Sequence, residues 1–122
     1  LADAASSHGP HVSVFAPHSL PELSASVLAC GYFFGTEALT NAAKHAPGAP
    51  VSVLVTSDDS LRITVVDEGP GGAQVVPGHG LAGMAERLGA FGGEMSLSSP
   101  PGGPTRVAGS IPLLLDRGQP GV

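Results

Sequence analysis

The sequence predicts an α+β domain, a two-layer α/β sandwich with helices packed on one face of a sheet. Three observations predict it. Two runs rich in β-branched residues, 51–56 and 61–66, flank a short turn at Asp58, Asp59 and Ser60. A long helical stretch precedes them. A shorter one follows, with Leu81, Met84, Ala85 and Leu88 at i, i+3, i+4 and i+7, and two further strand patterns come after it.

The elements follow in chain order. Residues 1–10 are small and polar and read as linker. Residues 11–15 alternate and suit a short strand. A helix is expected from Pro21 and Glu22, capped by Ser19, to about Ala46, where Pro47 and Gly48 stop it. At 100° per residue, Glu37, Asn41 and Lys44 fall within about 60° of one another. Gly31, Ala38, Ala42, Gly35, Leu28, Leu39 and Tyr32 form an apolar arc expected to pack. Cys30, Phe33 and Phe34 extend the polar stripe backwards, either as a wall for a bound base or as core. After the strand pair, residues 69–80 form a loop rich in glycine and proline. Gly92 and Gly93 end the second helix. Residues 94–99 and 105–112 read as closing strands around a turn of Pro101, Gly102, Gly103 and Pro104. Residues 116–122 read as a flexible tail, leaving a domain over 11–115.

Composition narrows the function. The chain has 122 residues and is 42% hydrophobic, which suits one domain with a real core. Its net charge of −5 lacks the basic footprint of a nucleic-acid binder. No apolar run approaches the roughly 20 residues of a membrane span, and no signal peptide opens the chain. The single Cys30 cannot form an internal disulfide and reads as a small buried hydrophobe. These features fit a cytoplasmic domain without membrane contact.

Three clusters carry chemistry. The first is Glu37, Asn41, Lys44 and His45 on one helix. Mg²⁺ takes oxygen ligands and keeps several waters, so the Asn41 amide oxygen plus phosphate oxygens would make a shell. Glu37, one turn earlier, can polarise a water or an attacking group, and Lys44 can neutralise phosphate. The second is Asp67, leaving a buried strand into Gly69 and Gly71. Its carboxylate can accept from an exocyclic amino group, and the glycines let backbone approach a base. The third is Gly78, His79, Gly80 and Leu81, where glycines at a helix start free N–H groups for an anion. Each cluster alone is also what a solvated helix face, a strand-ending turn or a flexible loop would show. In this order they describe a pocket for ATP with Mg²⁺. It is neither the Gly-x-x-x-x-Gly-Lys loop nor the dinucleotide fingerprint.

Together these residues resemble the ATP-binding catalytic domain of bacterial sensor histidine kinases, within the superfamily that also holds gyrase, Hsp90 and MutL. Residues 37–46 are similar to its N box, 67–71 to its first glycine box and 78–87 to its second. Gly80-Leu81 and Gly83-Met84 with Glu86-Arg87, followed by Gly92-Gly93 and by Gly102, Gly103 and Thr105, look like the nitrate-sensor and thermosensor subgroup. The resemblance implies a Bergerat-type ATP-binding fold, a mixed sheet with helices on one face and a mobile lid. It implies Mg²⁺ at Asn41, adenine at Asp67 with Thr105 nearby, and phosphates near Lys44, His45 and the 78–81 turn. Glu37 stands where hydrolytic relatives place a water-activating glutamate.

Departures accompany the resemblance. The loop from Gly72 to Gly78 is short, and Pro104 sits before Thr105. His8, His11, His18, His45 and His79 are followed by Gly, Val, Ser, Ala and Gly, so no histidine stands in the family's acceptor context. The expectation is a catalytic domain of a longer kinase. It would transfer the γ-phosphoryl of ATP to a histidine on a separate dimerisation domain and act indirectly on a response regulator. A serine kinase of the anti-sigma-factor type, or a nucleotide-gated interaction domain without transfer, are the alternatives.

Overall fold

The computed structural model describes residues 12–16, 23–75 and 80–113. In chain order the elements are β1 (Val12–Phe15), α1 (Ala25–His45), β2 (Val51–Ser57), β3 (Ser60–Asp67), α2 (Gly80–Ala90), β4 (Glu94–Ser98) and β5 (Thr105–Pro112). The strands form one sheet in the order β1-β2-β3-β5-β4. β1 and β2 run parallel and every other pair antiparallel, so the sheet is mixed. Both helices contribute to a core built with the inward residues of the sheet, as the two-layer expectation requires.

Period-two alternation sorts the central strands. On β3, Leu61, Ile63, Val65 and Asp67 are buried, and on β5 so are Thr105, Val107, Gly109 and Ile111. Each row therefore ends in a polar residue, and Asp67 and Thr105 are cross-strand partners. The β2–β3 turn is closed by Asp58, whose Oδ1 accepts from the Ser60 N–H at 3.1 Å. That bond, with Arg62 nearby, holds the Asp58 carboxyl below its usual range.

The first helix begins later than the sequence suggests. Ser24 is extended, at φ −68 and ψ 161, and its hydroxyl accepts from Val27 N. The capping hydroxyl is thus Ser24, which satisfies a free backbone donor of the first turn. Ser19, Pro21 and Glu22 lie outside the described residues, as do His11, 1–10 and 116–122. At the other end the Ala46 N–H donates to Ala42 O, and Pro47 follows.

The buried face of α1 is also rotated. Val27, Cys30, Gly31, Phe34, Ala38 and Ala42 are buried, whereas Leu28 and Tyr32 are 53% and 74% exposed. The packed sector lies about 70° from the expected arc at 100° per residue. Close contact explains it: a Cβ on Gly31 would sit 3.2 Å from Leu61 and 3.3 Å from Ile63, so α1 rests on β3 at that glycine. Phe34 and Cys30 are therefore core. Phe33 is half-buried, with the Arg87 guanidinium 4.2 Å over its ring, which ties α1 to α2. Burial pushes the Cys30 thiol up, and Arg87 partly offsets it. The same rotation carries Asn41 from an outward stripe to the border of the core.

Candidate functional site

A pocket of about 460 Å³ opens where α1 stops and the inner face of the sheet is left uncovered. Its walls come from four segments. The last turns of α1 give Ala38, Asn41, Ala42, Lys44, His45 and Ala46. Beneath them lie Val65 and Asp67 of β3 with Thr105 and Val107 of β5. Residues 70–74 form one rim, and Gly80 and Leu81 at the start of α2 form another. The volume suits a mid-sized organic ligand.

One end is buried and hydrogen-bonded. Asp67 is 8% exposed, and its Oδ1 accepts from Gly69 N–H at 3.0 Å. Among the described residues its second carboxylate oxygen accepts no hydrogen bond. Thr105 stands beside it, with Oγ1 2.6 Å from Ser99 Oγ. Gly69 is required here: a Cβ would collide with that of Ala46, so the chain can pass the end of α1 only as glycine. Gly71 has φ +73, and a Cβ there would meet Pro100 O and lie 2.6 Å from Gly103 N. The loop after β3 is thereby pressed against the β4–β5 connection. Gly72 N donates to Ser99 O at 2.9 Å and Gly102 N to Pro70 O at 2.8 Å.

The opposite end is open. Lys44, His45 and Gly80 are exposed. The Asn41 amide Nδ2 donates to Met84 Sδ at 3.8 Å, and Oδ1 lies 3.4 Å from where a Cβ on Gly80 would be. Nδ2 lies 3.6 Å from the same point, so the amide as a whole faces the start of α2. The first N–H groups of this eleven-residue helix have no intrahelical acceptor, so they favour an anion. Among the described residues no cluster of three or more His, Cys, Asp or Glu could hold a metal alone.

Residues 35–115 match the model of the histidine kinase-, DNA gyrase B- and HSP90-like ATPase family. The chain belongs to this family. It is an ATP-binding catalytic domain, similar to those of sensor histidine kinases. The sensor histidine kinase YxjM of Bacillus subtilis is 33% identical over 79 residues, covering 64% of this chain and 20% of that protein. YdfH of the same organism is 32% identical over 91 residues, 69% of this chain and 22% of YdfH. The histidine-protein kinase/phosphatase UhpB of Salmonella typhimurium is 38% identical over 81 residues, 62% and 15% of the two chains. The chain thus spans about a fifth or less of the length of these relatives. Its fold is that of the histidine kinase domain of the Erythrobacter litoralis EL346 blue-light activated kinase, at TM-score 0.72 and 23% identity, covering 95% of this chain and 59% of that one.

In this ATPase domain the structure brings Asn41, Lys44, His45, Asp67, Gly71, Gly80, Leu81 and Thr105 to one pocket, with Gly69 shaping its edge. Glu37 is half-buried one turn before Asn41 and is not among the lining residues. Gly78 and His79 lie outside the described residues. Pro104 does not displace Thr105, which stays in register opposite Asp67. Sequence reasoning missed Ser99, and it missed the groove made by Ala38, Ala42 and Ala46. The groove had a signal: three small residues at i, i+4 and i+8 just where the polar residues cluster.

No helix among the described residues is long and apolar enough to cross a membrane.

Proposed function

We propose that this domain binds ATP with Mg²⁺ and transfers the γ-phosphoryl group to a histidine on a separate dimerisation and phosphoacceptor domain of the same kinase, which in turn serves a response regulator. The observation that carries the reading is the pocket's polarity. An acceptor-only carboxylate with one free oxygen closes one end, and an amide oxygen, an amine and a helix start frame the other. An adenine nucleotide has the same order: an exocyclic amino group at one end and polyphosphate at the other.

The residues divide the work. Asp67 accepts from the adenine amino group, and Thr105 stands beside it. Val65, Val107 and the α1 alanines offer an apolar bed for the ring. Lys44 and His45 neutralise phosphate, with residues 78–81 and the N–H groups of α2. Asn41 Oδ1 fits Mg²⁺, because its amide nitrogen is engaged by Met84 and the oxygen is left toward the phosphate end. Bound there, the ion would neutralise charge on the phosphate oxygens. Glu37, a turn away, polarises the attacking group. In the transfer, an imidazole nitrogen forms a bond to the γ-phosphorus as the bond to the β–γ bridging oxygen breaks, and ADP leaves. The protein supplies alignment and charge neutralisation. The domain acts in the cytoplasm.

The relatives' names favour histidine over serine as acceptor. Radiolabelled ATP tests this. The 122-residue chain alone should bind ATP without labelling itself, and adding a phosphoacceptor domain in trans should give acid-labile label on that domain. Acid-stable label on serine, or acid-labile label on this chain lost on mutating one of its own histidines, would contradict the proposal.

A further inference from the structure

Ser99 belongs to none of the three sequence clusters and does not line the pocket, yet it joins two parts of it. Its Oγ accepts from Ala73 N–H at 2.8 Å and lies 2.6 Å from Thr105 Oγ1. Its carbonyl accepts from Gly72 N–H at 2.9 Å. One residue thus holds the rim that leaves Asp67 and also the threonine that stands across from Asp67.

One of the two bonds to Ser99 Oγ has a fixed direction. A backbone N–H only donates, so Ala73 occupies one lone pair of Ser99 Oγ. A hydroxyl that accepts is polarised into a better donor. Either hydroxyl can be the donor of the 2.6 Å bond; in the order where Ser99 donates to Thr105 Oγ1, the proton of Thr105 is left for the pocket. In that order the bonds form a relay of donors, Ala73 to Ser99 to Thr105, which ends across from the carboxylate of Asp67. Adenine presents an amino donor next to a ring-nitrogen acceptor. Guanine presents a carbonyl acceptor next to a ring N–H donor. An acceptor at Asp67 with a donor at Thr105 matches the first order and opposes the second.

We propose that Ser99 is a positioning residue for base recognition: it orients the Thr105 hydroxyl as a donor toward the base and fastens residues 72–73 to the same point. The inference rests on the reading of the pocket as an ATP site. Ser99 touches no ligand itself and acts through Thr105.

The test is a double-mutant cycle on the 122-residue chain, read by calorimetric ATP affinity with amide exchange at Ala73 followed alongside. Ser99→Ala should weaken ATP binding roughly three- to tenfold, the range of one hydrogen bond, and speed exchange at Ala73. Ser99→Thr, which keeps the hydroxyl, should retain most of the affinity. In a Thr105→Val background Ser99→Ala should cost less than about twofold, because the group it orients is gone. An equal loss in both backgrounds would make Ser99 merely structural and overturn the inference, as would unchanged affinity in Ser99→Ala. Asp67→Asn, measured in parallel, separates the two levels. If ATP binds and Asp67→Asn weakens it while the Ser99 cycle shows no coupling, only the inference falls. If the parent chain does not bind ATP, the proposed function falls and takes the inference with it.

Discussion

The two ends of the pocket are built differently. At the Asp67 end, a carboxylate and a hydroxyl that are 8% and 9% exposed are held by hydrogen bonds of 3.0 and 2.6 Å, and two backbone bonds join the loops around them. At the Asn41 end, Lys44 and His45 are exposed and form no ion pair among the described residues, and Asn41 has a single bond to a sulfur at 3.8 Å. A preformed end binds without ordering new groups, so it can discriminate. An open end carries charge and amide oxygen that a polyanion must organise, so its contribution depends on metal and salt. Under the proposed function, the domain would read its ligand at the preformed end and handle the reacting group at the open one.

Asn41 is where that contrast is easiest to break. A contact to a charged group is worth about 1.5–3 kcal/mol, so Asn41→Ala should raise the Mg²⁺ needed for half-maximal ATP binding roughly tenfold or more. It should leave the melting temperature nearly unchanged. A Mg²⁺ titration superimposing on the parent would remove Asn41 as a ligand.

The rigid end can be tested through its packing. Gly69→Ala puts a methyl group into the Cβ of Ala46 and should cost about 1–3 kcal/mol. Gly83→Ala, where a Cβ meets nothing within 4 Å, should be neutral or stabilising in an exposed helical position. Thermal unfolding of both variants checks this. Equal melting temperatures would mean that the approach of β3's exit to α1 is not tight.

The smallest effect belongs to the exposed charge. Lys44→Ala should weaken ATP binding by about 0.2–1 kcal/mol at low salt and by less at high salt. Affinity measured across a salt series decides it, and a salt-independent loss would imply a buried, specific contact instead.

How far the sequence foretold this structure differs by region. The sheet was legible because alternation on β3 and β5 is regular and ends in Asp67 and Thr105. The α+β class followed from it. The rotation of α1 was not legible, because Gly31 reads as neutral in a helical pattern while its lack of a side chain decides which face meets β3. Its start was misplaced because Ser19 fits a cap by residue type alone, whereas the hydroxyl that accepts from Val27 N is that of Ser24. Eight of the seventeen lining residues were expected from the sequence, because they fall in the motifs where glycines and charges cluster. Ser99 was not, since its role is a tertiary bond to Ala73, 26 residues away, in an ordinary turn-flanking serine.

The most direct test of the central claim, that the buried end recognises adenine, is the ratio of ATP to GTP affinity in the parent and in Asp67→Asn, by calorimetry with Mg²⁺ present. The parent should prefer ATP, and the variant should lose about 1.5–3 kcal/mol of ATP binding with little change for GTP, narrowing the ratio. Equal affinity of the parent for the two nucleotides, or an Asp67→Asn variant with the parent's preference intact, would contradict it.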